Sequence, residues 1–357
     1  MRGPHRFGAN GLVTAVQAPK FAGPDAQLDS ARLPHAERWA TALPDTAKLK
    51  QMLDDQLEAC LTALAGIEAS HLELTGDTRV RAARLDDSLY FHRLSLFHED
   101  MHAEALCWLR DALGYAAPAG VTVPTVGLRQ SLAIRGGNVN LGSASDGSGF
   151  AFDNERPGKQ VYLQDFEIDS HPVSALDFAE FVDAGGYMKS QYWPTDAGRW
   201  RSQGGHNHPS HWRRSQQGDW QMRWFDQWLA LQPNVPAMHL NAYEAEAYCL
   251  WAKRRLPTAA QWEHAAQSNP TIQSGQTGDG GFSWGNSVWE WTADTFAPYP
   301  GFSAGPYRQY SEPWFGDHRE LRGGAFATHP RIHHPQYRNF FLPDRSDIFA
   351  GLRTSAL

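Results

Sequence analysis

A change of pattern near residue 120 constrains the fold of this chain more than any other feature of the sequence. Residues 114–127 read GYAAPAGVTVPTVG, with three glycines, two prolines and no hydrophobic periodicity. Such a segment is typical of a linker between domains. The pattern therefore predicts one domain over residues 1–125 and a second over residues 126–357.

Helical periodicity dominates the chain before this linker. From Asp45 onward, apolar residues recur three and four positions apart until Gly66, as an amphipathic helix requires. A second helix is predicted from Ser88 to Leu113, where Gly114 ends the pattern. The first domain is therefore expected to be a helical bundle.

The pattern beyond the linker is mixed. Short strand candidates such as residues 160–168 alternate with clusters of Gly, Pro, Asn and Asp. Brief helices are indicated by the capping residues Ser174, Asn241 and Thr258. The predicted fold class is α+β, with helices first and then a domain of short strands, short helices and long loops. Loops rich in Trp and Gly suit a rigid scaffold that presents side chains into a pocket.

Composition and charge exclude several classes of protein. Lys and Arg number 32 against 39 Asp and Glu, a net charge of -7, and no basic cluster offers a face for nucleic acid. No run of eighteen apolar residues and no basic-apolar leader occurs, so we expect a cytoplasmic protein with no membrane partner. The three cysteines form no CxxC pair, which argues against a disulfide framework or a thiolate metal cage.

A histidine pair is the sharpest local feature of the sequence. Residues 98–102 read HEDMH, which places His98 and His102 four positions apart on the second predicted helix. Side chains at this spacing share a face, so two imidazoles can converge on one divalent ion. Asp100 or Glu104 is positioned to orient a ring through its other nitrogen. The alternative is two ordinary surface or core histidines.

The same run also matches the H-E-x-x-H pattern of zinc peptidases, in which Glu99 would be the general base. No H-x-x-G-x-x-H continuation follows, so a third zinc ligand would have to come from farther along the chain. Imidazole pairs suit Fe(II) as well, with vacant positions for oxygen and a substrate nitrogen. The pattern alone leaves zinc and iron open.

Four segments of the second domain resemble, in order, the sequence blocks of the formylglycine-generating enzyme fold. They are residues 254–263 (RRLPTAAQWE), 285–292 (GNSVWEWT), 322–325 (RGGA) and 351–353 (GLR). The resemblance spans roughly residues 130–357 and implies buried tryptophans against glycine turns, with Arg353 paired inside the scaffold. Fold alone does not settle function.

The wider arrangement resembles a more specific family. Copper-dependent formylglycine-generating enzymes use a cysteine pair near the RGG block, whereas this chain has no cysteine after Cys249. A DinB-like helical domain with HxxxH followed by this second domain is similar to the ergothioneine sulfoxide synthases and their selenoneine synthase relatives. The resemblance implies a nonheme Fe(II) held by three histidines, with O2 and hercynine, the trimethylated betaine of histidine, as substrates. A thiol or selenol donor gains a bond to the imidazole carbon.

The resemblance assigns roles to individual residues. His98 and His102 match two of the iron ligands. Residues 307–310 (YRQY) are similar to the family's YxxY block, which implies Tyr307 as a proton donor and Tyr310 as its neighbour lining the site. A phenol can donate a proton without itself carrying charge at neutral pH. The alternative is two aromatic residues that pack a loop.

Residues 337–341 (YRNFF) match the block that grips the betaine. Asn339 offers amide hydrogen bonds and Phe340 a ring face, with Arg338 and Phe341 beside them. A trimethylammonium group cannot donate an N–H bond, so aromatic faces and oxygen dipoles are the groups that can hold it. The block therefore indicates a quaternary-ammonium substrate.

Two departures from the family pattern concern the third ligand and the donor. No Gly-His-x-x-Trp-Phe text carries a third iron histidine before Asp45, so the first helix is expected to be missing, with His5 or His35 as candidate substitutes. Met101 and Phe341 stand where the thiol-using enzymes have polar residues, which favours a less zwitterionic donor such as a selenosugar. Arg32 and Arg38 are candidate donor contacts. A catalytically inactive relative that binds a betaine remains an alternative.

Overall fold

Two compact units make up the described part of the chain. The computed structural model describes residues 42, 44–72, 78–143, 150–268 and 282–357. Among these, one unit comprises the residues up to His102 together with Phe150 and Ala151, and the other comprises residues 103–143 and 152–357. A domain boundary near residue 125 stays a prediction.

Two long helices account for most of the described residues before residue 113, as the periodicity predicts. They are α1 (Thr46–Leu72) and α2 (Thr78–Ala112). The Asp45 carboxylate accepts the Lys48 amide at 2.8 Å and so caps the start of α1. Helix α2 begins ten residues before the predicted start at Ser88. The prediction missed these residues because 78–87 carry many charges and lack a clear apolar stripe. The last turns of α2, from Ala103, belong to the second unit.

The second unit contains eleven strands among the described residues, arranged in four small sheets. Antiparallel pairs join β1 (Ser131–Ile134) to β4 (Phe166–Asp169) and β2 (Gly137–Leu141) to β3 (Lys159–Leu163). A three-stranded antiparallel sheet contains β5 (Trp212–Arg214), β6 (Trp220–Trp224) and β7 (Gln227–Ala230). The largest sheet has the order β10-β9-β8-β11, from β8 (Trp289–Thr295), β9 (Arg319–Gly323), β10 (Asn339–Phe341) and β11 (Ala350–Leu352).

Short helices connect these strands, and each predicted cap is observed. They are α3 (Ala175–Asp183), α4 (Thr195–Gly204), α5 (Ala242–Ala252) and α6 (Ala259–Ser268). Ser174 and Asn241 each form a reciprocal capping box at the start of α3 and α5. Thr258 and Gln261 exchange two hydrogen bonds of 3.1 Å before α6. The predicted strand over 160–168 is two strands, since Asp165 turns the chain and accepts the Gly136 amide at 2.8 Å.

The four sequence blocks meet in the core of the second unit. Glu290 accepts a hydrogen bond of 2.7 Å from the Trp262 indole and pairs with Arg353 at 2.7 Å. Arg353 and Glu290 are fully buried, so the predicted pairing of Arg353 within the scaffold is confirmed. Arg322 of the third block pairs with Glu263 of the first at 3.0 Å. Buried charges are retained when they are paired in this way, because removing one partner leaves an uncompensated charge.

The α+β fold class is confirmed by this arrangement of helices followed by mixed sheets. Across the described residues, no helix combines the length and the apolar character that crossing a membrane requires.

Candidate functional site

The histidine pair lies on one face of α2. The ring centroids of His98 and His102 are 4.5 Å apart with an angle of 49° between the ring planes, and both side chains are half-buried. The pair therefore has the proximity that a shared ion requires. Glu99 and Met101 are half-buried on the same turn, and Asp100 is buried.

Glu104 is held by the second unit. Its Oε1 accepts a 2.7 Å hydrogen bond from the Trp289 indole, and its Oε2 accepts one of 2.7 Å from the Thr328 hydroxyl. Burial raises the pKa of the Glu104 carboxyl, although both hydrogen bonds act to lower it. Because both oxygens already have donors, Asp100 is the better candidate for orienting a ring of the pair.

An aromatic cluster surrounds Tyr310 in the second unit. The Tyr310 ring stacks on Phe152 at 4.3 Å, and meets Phe340 edge to face at 6.0 Å. Its hydroxyl lies 3.3 Å from that of Tyr337. Phe340 stacks in turn on Phe296 at 4.1 Å. We call these five residues the aromatic cluster; it brings together Tyr310 and Phe340, two residues that the sequence blocks single out.

Tyr307 lies one tight turn away from this cluster. The carbonyl of Tyr307 accepts a hydrogen bond of 3.1 Å from the Tyr310 amide, which closes the single-turn helix Arg308–Tyr310. Burial raises the pKa of the Tyr307 hydroxyl, and burial with the neighbouring Tyr337 raises that of Tyr310 further. Both phenols therefore keep their protons at neutral pH.

A buried carboxylate holds the loop that carries the two tyrosines. The Ser311 hydroxyl donates to Asp153, and the Gly305 amide donates to the same carboxylate at 3.1 Å. Two residues on, burial raises the pKa of Glu155 to about 8. Sequence reasoning missed both acids, because the partners of Asp153 lie more than a hundred positions away and isolated acids carry no local signal.

The YRNFF block occupies β10 and its approach. Asn339 begins the strand, and its Oδ1 accepts the Phe340 amide at 2.9 Å. The Phe341 ring is half-buried, with the Arg345 guanidinium 5.2 Å from its centroid. These positions fix the ring directions of the block.

Arg338 has a different environment from its neighbours. It is 2% exposed, and its Nε and Nη2 donate to Glu320 at 3.1 and 2.7 Å. Nη2 also donates to the Ala297 carbonyl at 2.8 Å. This buried ion pair favours a role in holding β10 against β9, and a contact between Arg338 and substrate stays a prediction. His5, Arg32, His35 and Arg38 lie outside the described residues.

A second group of metal-ligand side chains was not predicted. Asp111, His211 and His239 each present one ligand atom, and these atoms lie within 4.8 Å of one another in the second unit. About a hundred residues separate Asp111 from His211, so the sequence offers no spacing motif for this cluster.

Comparison with known proteins gives the chain its relatives. A model of the sulfatase-modifying factor enzyme 1-like domain matches residues 118–287 and 282–356. The hercynine oxygenase of Mycobacterium tuberculosis is 35% identical over 57% of this chain and 55% of that protein. That of Mycolicibacterium smegmatis is 30% identical over 75% of this chain and 72% of that protein. The formylglycine-generating enzyme of Streptomyces coelicolor is 26% identical over 67% and 92%. The chain thus spans about half the length of the first of these relatives.

Proposed function

We propose that this chain is an oxygen-dependent enzyme acting on hercynine, because it belongs to the hercynine oxygenase family and carries the sulfatase-modifying factor enzyme 1-like domain. More specifically, we propose that it forms a carbon–selenium or carbon–sulfur bond at the hercynine imidazole with a nonheme Fe(II). The observation that carries this proposal is the meeting of Tyr310 and Phe340 in one aromatic cluster, in a chain whose α2 also pairs His98 with His102.

Iron would be held by His98 and His102. Two imidazoles with centroids 4.5 Å apart on one face of a helix can each present a nitrogen to one ion. Imidazole suits ferrous iron, and when bound the ion supplies the activation of O2. By family resemblance, a third histidine completes the set, and its candidates His5 and His35 lie outside the described residues.

The aromatic cluster would hold the trimethylammonium group. The ring planes of Phe340 and Tyr310 meet at 77°, and the rings are fixed by stacking on Phe296 and Phe152. A quaternary ammonium is attracted to such faces by about 0.5–2 kcal/mol per ring. Because the rings are held in place before substrate arrives, little ordering is needed on binding.

Tyr307 would supply a proton during the reaction. Burial keeps its hydroxyl protonated at neutral pH, so it can donate to a developing negative charge without starting from a charged state. Tyr310 is one turn further on and acts as its neighbour in lining the site. The carboxylate of Asp153 fixes this loop through Ser311 and Gly305.

The overall transformation balances with O2 as the oxidant. One hydrogen leaves the imidazole carbon and one leaves the thiol or selenol, and the carbon–chalcogen bond forms. One oxygen atom ends on the chalcogen and the other in water. Met101 and Phe341 favour a selenosugar over a zwitterionic thiol as donor, because neither side chain can pair with a donor ammonium. Arg32 and Arg38 are further candidate donor contacts.

Mass spectrometry of a reaction started with oxygen tests this function. The protein is loaded with Fe(II) under anaerobic conditions, mixed with hercynine and either a selenosugar or a thiol donor, and then exposed to O2. We expect a chalcogenated hercynine with wild-type protein and none with His98→Ala. No such product with either donor from an iron-loaded sample would contradict the proposal.

A betaine-binding protein without catalysis is the second candidate, since the aromatic cluster can attract a quaternary ammonium whether or not iron is present. Calorimetry with hercynine separates the two. Equal affinity with and without Fe(II), together with no product, would favour the binding protein, whereas iron-dependent affinity favours the enzyme.

A further inference from the structure

Three segments of the second unit bring metal-ligand side chains to one point. Asp111 lies on the last turn of α2, His211 just before β5 and His239 in the loop before α5. The Oδ2 atom of Asp111 is 3.7 Å from Nε2 of His211 and 3.6 Å from Nε2 of His239. The three ligand atoms therefore lie within 4.8 Å of one another.

These separations are too long for hydrogen bonds, which rarely exceed about 3.2 Å between nitrogen and oxygen. They match a different arrangement. Ligand atoms at about 2.0–2.2 Å from one ion, with angles of roughly 110–120° between them, lie about 3.3–3.7 Å apart. Both separations between Asp111 and the histidines thus lie within the range of two ligands on a single ion.

His239 is held inside the second unit. Its side chain is fully buried, with the backbone groups of Ser346 and Ile348 against the ring. A backbone oxygen at one ring nitrogen is the usual partner of a metal-ligating histidine, whose other nitrogen binds the ion. The backbone of His239 has a φ of 59°, in the left-handed region, which non-glycine residues adopt mainly where their surroundings require it.

The Asp111 carboxylate is already oriented. Its Oδ1 accepts the Phe225 amide at 2.6 Å, and its Oδ2, the atom nearest the two rings, accepts a hydrogen bond from Arg223 at 3.3 Å. The Arg223 guanidinium lies 3.3 Å from Oδ2 and is the one positive group beside it in this part of the described structure. Its charge opposes a cation but also fixes the carboxylate, as hydrogen-bonded partners of metal ligands commonly do.

The two imidazoles lie against each other. The rings are parallel, with centroids 3.9 Å apart, an arrangement that two charged imidazoles would resist. Neutral imidazole is the form that binds metal ions.

We propose that Asp111, His211 and His239 bind one divalent first-row transition metal ion, zinc or ferrous iron. Two imidazoles with one carboxylate form a donor set that both ions use in proteins. The ion would join the end of α2 to two loops that are distant in sequence, and so stabilise the second unit. This site uses none of the residues assigned to the reaction with hercynine, so it stands or falls independently of the proposed function.

Metal titration of a full-length variant without the α2 pair tests this site. His98→Ala/His102→Ala protein is stripped with a chelator and titrated with Zn²⁺, and separately with Co²⁺ as a spectroscopic probe. We expect one ion per chain, visible Co²⁺ absorption and a rise in melting temperature of about 5–10 °C at a hundredfold excess over Kd. The rise should disappear on adding chelator.

Substitutions then locate the ion. Asp111→Asn keeps the acceptor for the Phe225 amide but loses the charged ligand, and we expect it to abolish the zinc-dependent rise. His211→Gln, at 11% side-chain exposure, is the second variant in case the first fails to fold. His264→Gln, at a half-buried histidine of the same unit whose Nε2 lies 2.9 Å from the Arg135 carbonyl, is the matched control and should retain the full rise.

Two results would overturn the proposal. One is a folded His98→Ala/His102→Ala protein whose melting temperature and Co²⁺ spectrum do not respond to metal. The other is a response that persists undiminished in a folded Asp111→Asn or His211→Gln variant, because the ion would then bind elsewhere.

Discussion

Imidazoles meet at two places in this molecule, and the two places are built in opposite ways. His98 and His102 come from one turn of α2, are half-buried, and amount to two ligands of a larger set. His211 and His239 come from separate loops, are joined by Asp111, and His239 is fully buried. Five residues of one helix are enough to place two ligands side by side. The three ligands of the Asp111 group come together only when the second unit folds.

This difference separates two kinds of information. The pair on α2 can be read from spacing alone, but spacing does not identify the remaining ligand or the ion. The Asp111 cluster has a complete donor set and an ordered carboxylate, but no sequence signal. Local motifs can therefore identify individual ligand residues, whereas the tertiary structure is needed to identify the complete set of ligands.

The largest expected effect comes from the tyrosine proposed as the proton donor. Tyr307→Phe removes the proton donor, and we expect kcat to fall about 10²–10⁴-fold. Tyr310→Phe is the matched control in the same turn, and keeps the stacking on Phe152. Its kcat should fall by less than that of Tyr307→Phe. Single-turnover kinetics with iron-loaded protein measures both.

If instead the two variants lose the same activity, the phenols have no separate roles and the block merely packs the loop. The α2 pair would then be the only one of the two imidazole groups for which a catalytic role is still proposed, and Tyr307 would have none.

A smaller effect is expected on hercynine binding. Phe340→Leu keeps apolar volume but removes a ring face, and should weaken hercynine binding about 3- to 30-fold through the lost cation–π attraction. Calorimetry with hercynine measures this. Phe315→Leu is a suitable control, because Phe315 also packs on Phe296 but is outside the block. Equal losses in the two variants would show a packing effect rather than recognition.

The smallest effect concerns a half-buried imidazole, that of His333, which belongs to neither site. Burial, with the nearby His329, lowers the pKa of His333 to about 4. The unfolded chain binds this proton below about pH 6.5 and the folded protein does not until about pH 4, so the free energy of unfolding falls as the pH falls between these values. The slope is about 1.4 kcal/mol per pH unit at most for one histidine.

Urea denaturation at pH 7, 6 and 5 in the presence of a chelator measures this slope, and His333→Gln should flatten it. An unchanged slope in that variant would show that His333 is already charged in the folded protein. Burial alone would then not keep imidazoles neutral in this unit, which would weaken the contrast between the two metal-ligand groups.

Much of the fold followed from local physical chemistry. The apolar repeats of α1 and α2 and the three capping boxes all specify structure over a few residues, and each is observed. The start of α2 was not predicted, because residues 78–87 show no clear repeat of apolar residues at helical spacing. The turn at Asp165 was missed because its hydrogen bond goes to a residue of another strand pair.

The candidate site was predictable where residues are adjacent in sequence and not where they converge. Tyr310 and Phe340 could be named from their blocks, but the part that Phe152, Phe296 and Tyr337 play in fixing the rings depends on long-range contacts. The same holds for Asp153, whose partners lie beyond residue 300. Arg338 shows the converse, since its block indicated substrate while its contacts are an internal ion pair.

Metal content per chain is the most direct test of two separate centres. Wild-type protein, His98→Ala and Asp111→Asn are reconstituted anaerobically with Fe(II) and Zn²⁺, desalted and analysed by mass spectrometry for both elements. We predict two ions per chain in the wild type. His98→Ala should lose one ion and, with it, catalytic activity, and Asp111→Asn should lose the other ion. An iron content unchanged by His98→Ala, or the loss of both ions on either single substitution, would contradict the existence of two independent centres.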